Sequence, residues 1–175
     1  MYDDILIPTD GSEEMAAVVD HGLSIAEAFD ATVHTLYVVD YRAYSTIPED
    51  ARDRVRDALE SDGHAATRAV AERAIDAGID AVREVRWGNP PAAVLAYAAE
   101  NEVDLVVMGT HGRTGYERYL LGSVAEKVVR AATVPVLVVS VGDEGEPTVL
   151  EPSAAAAPAQ VPDPEPESDA DAGTD

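Results

Sequence analysis

Short apolar runs alternate with longer amphipathic segments along the first 140 residues. The apolar runs predict five strands, which are expected at 5–7, 33–39, 81–86, 105–108 and 136–139. Most of them are apolar almost throughout, which is typical of strands that are buried on both faces of a parallel sheet. The third run is shorter and more polar than the second, and it is therefore expected at an edge of the sheet.

The amphipathic segments between these runs predict helices. Ser12 is the expected N-cap of the first helix, because its hydroxyl can accept a hydrogen bond from a free backbone amide of the first turn. A long helix is expected after Pro48, with Gly78 as its end. Gly63 interrupts the apolar stripe of this helix and is expected to weaken or kink it.

Two further helices complete the pattern. Asn89, followed by a proline, is the expected N-cap of one helix, and the last helix is expected at about 123–132. Such alternation implies an α/β fold, an open parallel sheet with helices on both faces. Ligands of such sheets bind outside the carboxyl ends of the strands, where the winding direction reverses. A site is therefore expected just after Ile7 and just after Met108.

Charge divides the chain into a body and a tail. The 175 residues carry 34 acidic and 12 basic side chains, for a net charge of −22, and no base follows Arg130. From Gly142 onward, proline and alanine alternate with acids and no apolar period survives, which predicts one folded domain at 1–141 and a disordered acidic tail at 142–175. A strongly negative surface repels nucleic acid and anionic lipid, so neither is expected as a partner.

The composition also indicates a cellular setting. Lys127 is the single lysine, and acid excess with scarce lysine and small apolar side chains favours a salt-rich cytoplasm, where screening weakens repulsion between carboxylates. An ordinary acidic protein remains the alternative. Cysteine is absent, which excludes disulfides and thiolate metal sites. Neither a signal peptide nor an apolar run of about 18 residues is found, so a cytoplasmic protein is expected.

The most informative segment contains three glycines in the pattern G-x2-G-x9-G-S. Gly109 ends a predicted strand and Gly112 lies in the following loop. Gly122 and Ser123 open a predicted helix, where both are expected to present free backbone amides. Glycine permits positive φ and a close approach of backbone amides to a ligand, while a helix start favours an anion. Arg113 adds a cation to an otherwise negative chain. Each glycine alone is also explained by an ordinary turn.

With these motifs the chain resembles the universal stress protein family, in its ATP-binding branch. The resemblance covers about residues 2–140 and rests on the glycine pattern and on the segments 5–10, 38–40, 88–90, 104–109 and 134–139. It implies a sheet of strand order 3-2-1-4-5, in the adenine-nucleotide alpha-hydrolase-like fold, with ATP across the ends of strands 1 and 4. It also implies a stress-response regulator.

The resemblance further implies a role for each residue around ATP. Asp10 would contact the ribose, the backbone of Val38 would meet the adenine, and the two glycine segments would surround the phosphates. The implied contacts are Pro8, Thr9, Asp10, Val38, Met108, Gly109, His111, Gly112, Arg113, Gly122, Ser123 and Val124. Mg²⁺ is a plausible counter-charge for the phosphates, although no dedicated set of protein ligands for it is evident.

Three functions remain open at this stage. The first is a regulator that binds ATP, the second a slow ATPase or nucleotidyl-type enzyme at the same site, and the third a nucleotide-free scaffold with chaperone-like action. No general base is evident, no catalytic residue is assigned, and neither a P-loop lysine motif nor a G-x-S-x-G elbow is present.

The last strand indicates a partner. The run from Val136 to Val141 is apolar and lies at a predicted edge, and an open apolar edge invites pairing with another chain. In the family this strand commonly pairs with its symmetry mate, so a homodimer is expected, and an additional protein partner is left open.

Overall fold

The computed structural model describes residues 1–40, 48–110 and 121–140. Within them the strands are β1 (Asp4–Pro8), β2 (Thr32–Asp40), β3 (Ala81–Gly88), β4 (Leu105–Gly109) and β5 (Val136–Val139). The helices are α1 (Met15–Phe29), α2 (Arg52–Asp76, entered through the 3₁₀ turn Glu49–Ala51), α3 (Pro90–Glu100) and α4 (Ser123–Ala131). The predicted acidic tail lies outside the described residues.

All five strands are parallel and are arranged in the order β3-β2-β1-β4-β5, which confirms the predicted sheet. The chain first moves outward from β1 to β3 and then returns to the other side of β1 through α3. The winding direction therefore reverses between β1 and β4, at the centre of the sheet.

Side chains alternate between the two faces of the sheet and meet different helices. Ile5 and Ile7 of β1 belong to a core with α1 and α2, whereas Leu6 belongs to a second core with α3 and α4. All three side chains are fully buried. This placement of two helices on each face confirms the doubly wound architecture that the apolar strands predicted.

The third strand lies at an edge, as predicted, but it is not short. β3 extends over eight residues, and each of them is paired with β2 from Ala81↔Val33 to Gly88↔Asp40. Backbone hydrogen bonds to β2 form whatever the side chains are, so the polar residues of β3 did not shorten it. They remain partly exposed, and no further strand among the described residues pairs with that edge.

Two local predictions on helix ends are confirmed. The side chain of Asn89 accepts a hydrogen bond from the amide of Ala92 at 3.4 Å, with Pro90 at the first helical position. Gly78 follows α2 with φ of +78°, a conformation that a side chain would disfavour.

The prediction that Ser12 caps α1 is wrong. Helix α1 begins at Met15, with Glu14 in the N-cap position, and no side chain among the described residues caps it. The hydroxyl of Ser12 instead donates to Oδ1 of Asp10 at 2.7 Å. A hydrogen bond to a charged acceptor is stronger than one between neutral groups, which explains the preference.

Gly63 does not interrupt α2, and the expectation that it weakens or kinks the helix stays a prediction. The helix is continuous from Arg52 to Asp76, and Gly63 is buried where it crosses the sheet. A Cβ at this position would lie 2.8 Å from Cδ1 of Tyr37 and 2.9 Å from Cγ1 of Val85. The glycine therefore permits close packing of α2 on β2 and β3.

Candidate binding site at the carboxyl end of the sheet

A crevice opens where β1 and β4 separate. These neighbouring strands are paired only at Ile5↔Leu105 and Leu6↔Val106, although β1 continues to Pro8 and β4 continues to Gly109. Pro8 has no amide hydrogen to donate to a neighbouring strand. The opening lies at the reversal point of the sheet, where the sequence predicted a site.

The crevice contains a cavity of about 280 Å³. Nine of the twelve predicted contact residues line it, namely Pro8, Thr9, Asp10, Val38, Met108, Gly109, Gly122, Ser123 and Val124. The other three, His111, Gly112 and Arg113, lie outside the described residues. The folded chain thus brings together segments that are about 100 residues apart in sequence.

The backbone of Val38 offers a donor and an acceptor on the crevice side of β2. The amide of Thr9 donates to the carbonyl of Leu36 at 2.9 Å, so the backbone groups of Leu36 point towards β1. Backbone direction alternates along a strand, and therefore Val38 also points that way. β1 ends at Pro8, opposite Leu36, and no other described residue pairs with Val38 on this side.

The turn after β1 fixes the position of Asp10. Oδ1 of Asp10 accepts hydrogen bonds from both the amide and the hydroxyl of Ser12, at 3.0 and 2.7 Å. The buried hydroxyl of Thr9 accepts from the amide of Gly11 at 3.1 Å, and Gly11 has φ of +74°. Local hydrogen bonds therefore hold this carboxylate at the wall of the crevice.

Some backbone amides of the glycine pattern form hydrogen bonds within the protein and are not available to a ligand. The amide of Thr110 donates to the carbonyl of Val139 at 2.9 Å, and the amide of Gly122 donates to the carbonyl of Thr110 at 2.7 Å. A free amide at Gly122, which the sequence led us to expect, is therefore wrong. Its role is to begin α4 next to the end of β4.

The first amides of α4 remain for a ligand. The first intrahelical bond recorded runs from the amide of Glu126 to the carbonyl of Gly122 at 2.9 Å. The amides of Ser123, Val124 and Ala125 precede it and have no acceptor among the described residues. All three residues line the cavity, so the positive end of a helix faces it.

Most of the cavity wall is apolar. Within the described ranges Asp10 is the single charged lining residue, and no group of His, Cys, Asp or Glu is arranged to hold a metal ion. Nor does any helix in these ranges have the length and apolar character needed to cross a membrane. The described wall therefore suits a ligand with a flat apolar part, a hydroxyl donor near Asp10 and an anion near α4.

Sequence reasoning missed several lining residues, namely Met15, Leu36, Tyr37, Pro90, Val94, Thr110 and Ala125. A signal existed for some of them. Thr110 lies inside the glycine pattern, and Leu36 is two positions before Val38 on the same strand. Met15 and Val94 come from two different helices, where an apolar residue facing a cavity looks the same as one facing the core.

The sheet order and the crevice define a fold class, the open parallel α/β sheet of the nucleotide-binding type. Comparison with known proteins makes this specific, because residues 1–140 match the model of the universal stress protein family. The chain belongs to this family. It is 40% identical to Universal stress protein MJ0531 of Methanocaldococcus jannaschii over 140 residues, which cover 79% of this chain and 82% of that protein.

Solved structures agree with this assignment. Hypothetical protein MJ0577 superposes with a TM-score of 0.74 at 29% identity, covering 82% of this chain and 99% of that one. A universal stress protein solved in complex with cAMP superposes with a TM-score of 0.60 at 27% identity, covering 81% and 98%. The latter protein binds an adenine nucleotide.

Proposed function

We propose that this protein binds ATP in the crevice between β1 and β4 and acts as a nucleotide-dependent regulator of the stress response. The observation that carries the proposal is the described wall of the crevice. It has an unpaired backbone edge at Val38, a held carboxylate at Asp10 and the first amides of α4. The related protein that was solved with cAMP supports an adenine nucleotide as the ligand.

The edge of Val38 favours adenine over guanine. Adenine presents the acceptor N1 beside its N6 amino donor, which matches the N–H and C=O of one strand residue. Guanine presents a donor and an acceptor in the opposite order, so each of its groups would face a like partner. A mismatched buried pair loses both hydrogen bonds and the hydration of the groups. Leu36 and Val94 offer apolar surface to the base.

The start of α4 is the proposed phosphate site. A helix N-terminus attracts anions through its free amides and its dipole, and Ser123 can add a hydroxyl donor. Met108 and Gly109 lie at the adjoining end of β4 and line the same cavity. His111, Gly112 and Arg113 are proposed to complete the contacts to the phosphates, with Mg²⁺ as a counter-ion.

Titration calorimetry of the purified full chain with ATP, GTP and adenosine tests this proposal. We expect ATP to bind at least about tenfold more tightly than GTP, the value of one good hydrogen bond to the base. Protein purified without added ligand is examined in parallel for adenine absorbance. If no binding heat is measured and no bound nucleotide is found, the proposal is contradicted and the scaffold function remains. Steady release of ADP or AMP from ATP would instead make the protein an enzyme.

We also propose a homodimer that forms through β5. This strand is at the edge of the sheet, and Leu137 is 37% exposed. Residues 133–140 carry no charge in a chain of net charge −22, so two copies can meet there with little repulsion. The proposed pairing includes Val141, which lies outside the described residues. A second copy presents the same edge, which is self-complementary about a two-fold axis.

Substitution of the edge tests the dimer. Leu137→Asp places two charges against each other in the proposed interface, and we expect sedimentation analysis to show a monomer where the parent chain is a dimer. Val82→Asp is the matched control, because Val82 is 43% exposed on β3 at the opposite edge. Loss of the dimer in the control, or its persistence in Leu137→Asp, would contradict the assignment of the interface.

We propose that the protein works in a salt-rich cytoplasm, on the basis of its proposed ligand and its net charge. ATP is a cytoplasmic metabolite, so a receptor for it is expected in the cytoplasm. The net charge of −22 with a single lysine supports a salt-rich cytoplasm. Binding and folding are therefore to be measured at high and low salt, and stability that falls in low salt would support this setting.

A further inference from the structure

The hydroxyl of Ser12 is turned towards the crevice wall rather than towards its helix. It donates to Oδ1 of Asp10 at 2.7 Å, and the amide of the same residue donates to the same oxygen at 3.0 Å. Helix α1 begins three residues later and receives no side-chain cap from the described residues. The carbonyl of Ser12 accepts from the amide of Met15 at 3.3 Å, so the backbone alone makes the turn into the helix.

Two donors on one carboxylate oxygen fix the orientation of the whole group. A free aspartate rotates about its terminal bond, since that torsion is broad. Here an N–H and an O–H hold Oδ1 from one side, and hydrogen bonds to a charged acceptor are the strong ones. A carboxylate can accept about four hydrogen bonds, so the two bonds from Ser12 to Oδ1 do not exhaust its capacity.

The rest of the turn supports this orientation independently of Ser12. Gly11 has φ of +74°, which favours glycine, and its amide is held by the hydroxyl of Thr9. Thr9 is only 8% exposed and its own amide donates to Leu36. The backbone beneath Asp10 is therefore fixed to β2, and Ser12 adds the contact that sets the carboxylate itself.

We propose that Ser12 is a positioning residue for sugar recognition: it holds Asp10 so that the carboxylate accepts a hydrogen bond from a ribose hydroxyl. The crevice would then distinguish nucleotides by their sugar hydroxyls, and Ser12 would control that discrimination without touching the ligand. This inference rests on the proposed binding of ATP, and it predicts a selectivity that nucleotide binding alone does not require.

The test compares ATP with 2′,3′-dideoxyadenosine triphosphate, which keeps the base and phosphates but has neither sugar hydroxyl. We expect the parent chain to bind ATP more tightly than the dideoxy analogue. Ser12→Ala should weaken ATP binding about three- to tenfold, the range for loss of one hydrogen bond, and leave the affinity for the analogue unchanged. A merely structural role would weaken both ligands equally.

Four further variants make the test decisive. Ser12→Thr keeps the hydroxyl and should restore the preference for ATP. Ser24→Ala removes a serine hydroxyl from helix α1, where it donates to the carbonyl of Asp20; Ser24 does not line the cavity, so both affinities should be unchanged. In an Asp10→Ala background, Ser12→Ala should have no further effect on the ratio, because the group that it positions is gone.

The outcomes separate this inference from the proposed function. If the parent chain binds neither ligand, both are overturned. If it binds ATP and the analogue equally, nucleotide binding stands and recognition of the sugar by Asp10 is overturned. If it prefers ATP but Ser12→Ala keeps the full preference, the role of Ser12 alone is overturned. Thermal unfolding of each variant confirms that affinities are compared between folded proteins.

Discussion

The two ends of the same sheet treat their polar groups in opposite ways. At the amino end, one carboxylate oxygen of Asp104 accepts from the amides of Asp3 and Asp4, at 2.8 and 3.2 Å, and ties β1 to the start of β4. At the carboxyl end, β1 and β4 separate after two paired positions. The amino end is closed by internal hydrogen bonds, and the carboxyl end leaves backbone groups facing a cavity.

A buried histidine strengthens the amino end. The ring nitrogens of His34 lie 2.8 Å from the hydroxyl of Tyr97 and 2.8 Å from Oδ1 of Asp4. His34 is 7% exposed and Tyr97 is fully buried, while the guanidinium of Arg86 lies 4.7 Å from the centre of the Tyr97 ring. These contacts join β1, β2, β3 and α3, and none of the four residues lines the cavity.

The difference teaches how to tell a structural polar cluster from a binding site in this fold. The groups of the amino end have partners within the protein, so their removal costs stability. The amides at the start of α4 and the backbone edge of Val38 have none among the described residues, so a ligand can supply them. Substitutions at the two ends should therefore separate stability from affinity.

The largest effect is expected at Tyr97. Tyr97→Ala leaves a cavity in the core beside α3, and we expect a loss of about 3–5 kcal/mol in the free energy of unfolding, measured by urea denaturation. Tyr97→Phe keeps the ring but leaves a nitrogen of His34 without its partner, at a cost of about 1–3 kcal/mol. The affinity of Tyr97→Phe for ATP should stay within about twofold. A larger change would show that the two ends are coupled.

Ser123→Pro is expected to have a smaller effect than Tyr97→Ala, and to change ATP affinity rather than stability. Proline suits the first position of a helix, and the preceding Gly122 already has ψ of 148°, which suits a residue before proline. The substitution removes one amide and the hydroxyl from the proposed phosphate site. We expect about tenfold weaker ATP binding in calorimetry, unchanged binding of adenosine, and no loss of stability.

Ser123→Ala is the matched control for this substitution, because it removes the hydroxyl and keeps the amide. Its affinity for ATP should lie between those of the parent chain and Ser123→Pro. Equal weakening of adenosine and ATP would show instead that proline distorts the crevice, and the phosphate assignment would then lose its support.

The smallest effect is expected from alkaline pH. Burial, assisted by the negative charges of Glu84 and Asp4 and opposed by Arg86, raises the pKa of Tyr97 above its ordinary value of 10.0. The folded protein thus keeps this proton more tightly than the unfolded chain. The resulting stability is fully present below pH 10 and is lost as the pH rises through the folded pKa.

Tyr97→Phe lacks this titration, so the parent chain should lose more stability than the variant between pH 9 and pH 10.5. The extra loss is at most about 0.8 kcal/mol at pH 10.5. Urea denaturation of both proteins at each pH measures it. Parallel pH profiles for the two proteins would contradict the proposed burial of the phenol.

Much of the fold and part of the site could be predicted from the sequence. Periodicity and local backbone preferences predicted the β5 bounds, the Asn89 cap and the glycine at position 78 that follows α2. The family resemblance added the strand order. The crevice lies at the predicted reversal point, because topology alone decides where strands of an open sheet separate.

What could not be predicted depends on groups that are distant in sequence or that compete for one partner. Glycine is a poor helix former, yet Gly63 lies within α2 because its lack of a side chain lets the helix pack closely against Tyr37 and Val85. The free amide expected at Gly122 is used by Thr110, which depends on how the chain returns to the end of β4. Neither outcome leaves a local signature in the sequence.

The sequence by itself determined the succession of strands and helices along the chain, the glycine at position 78 that ends a helix, and the end of the sheet at which the crevice lies. These follow from local periodicity and local capping, which act within a few residues. Only the tertiary structure decided that His34 joins Tyr97 across 63 positions, and which amides at the start of α4 have no acceptor among the described residues. Those choices depend on which partners the completed fold brings within hydrogen-bond distance.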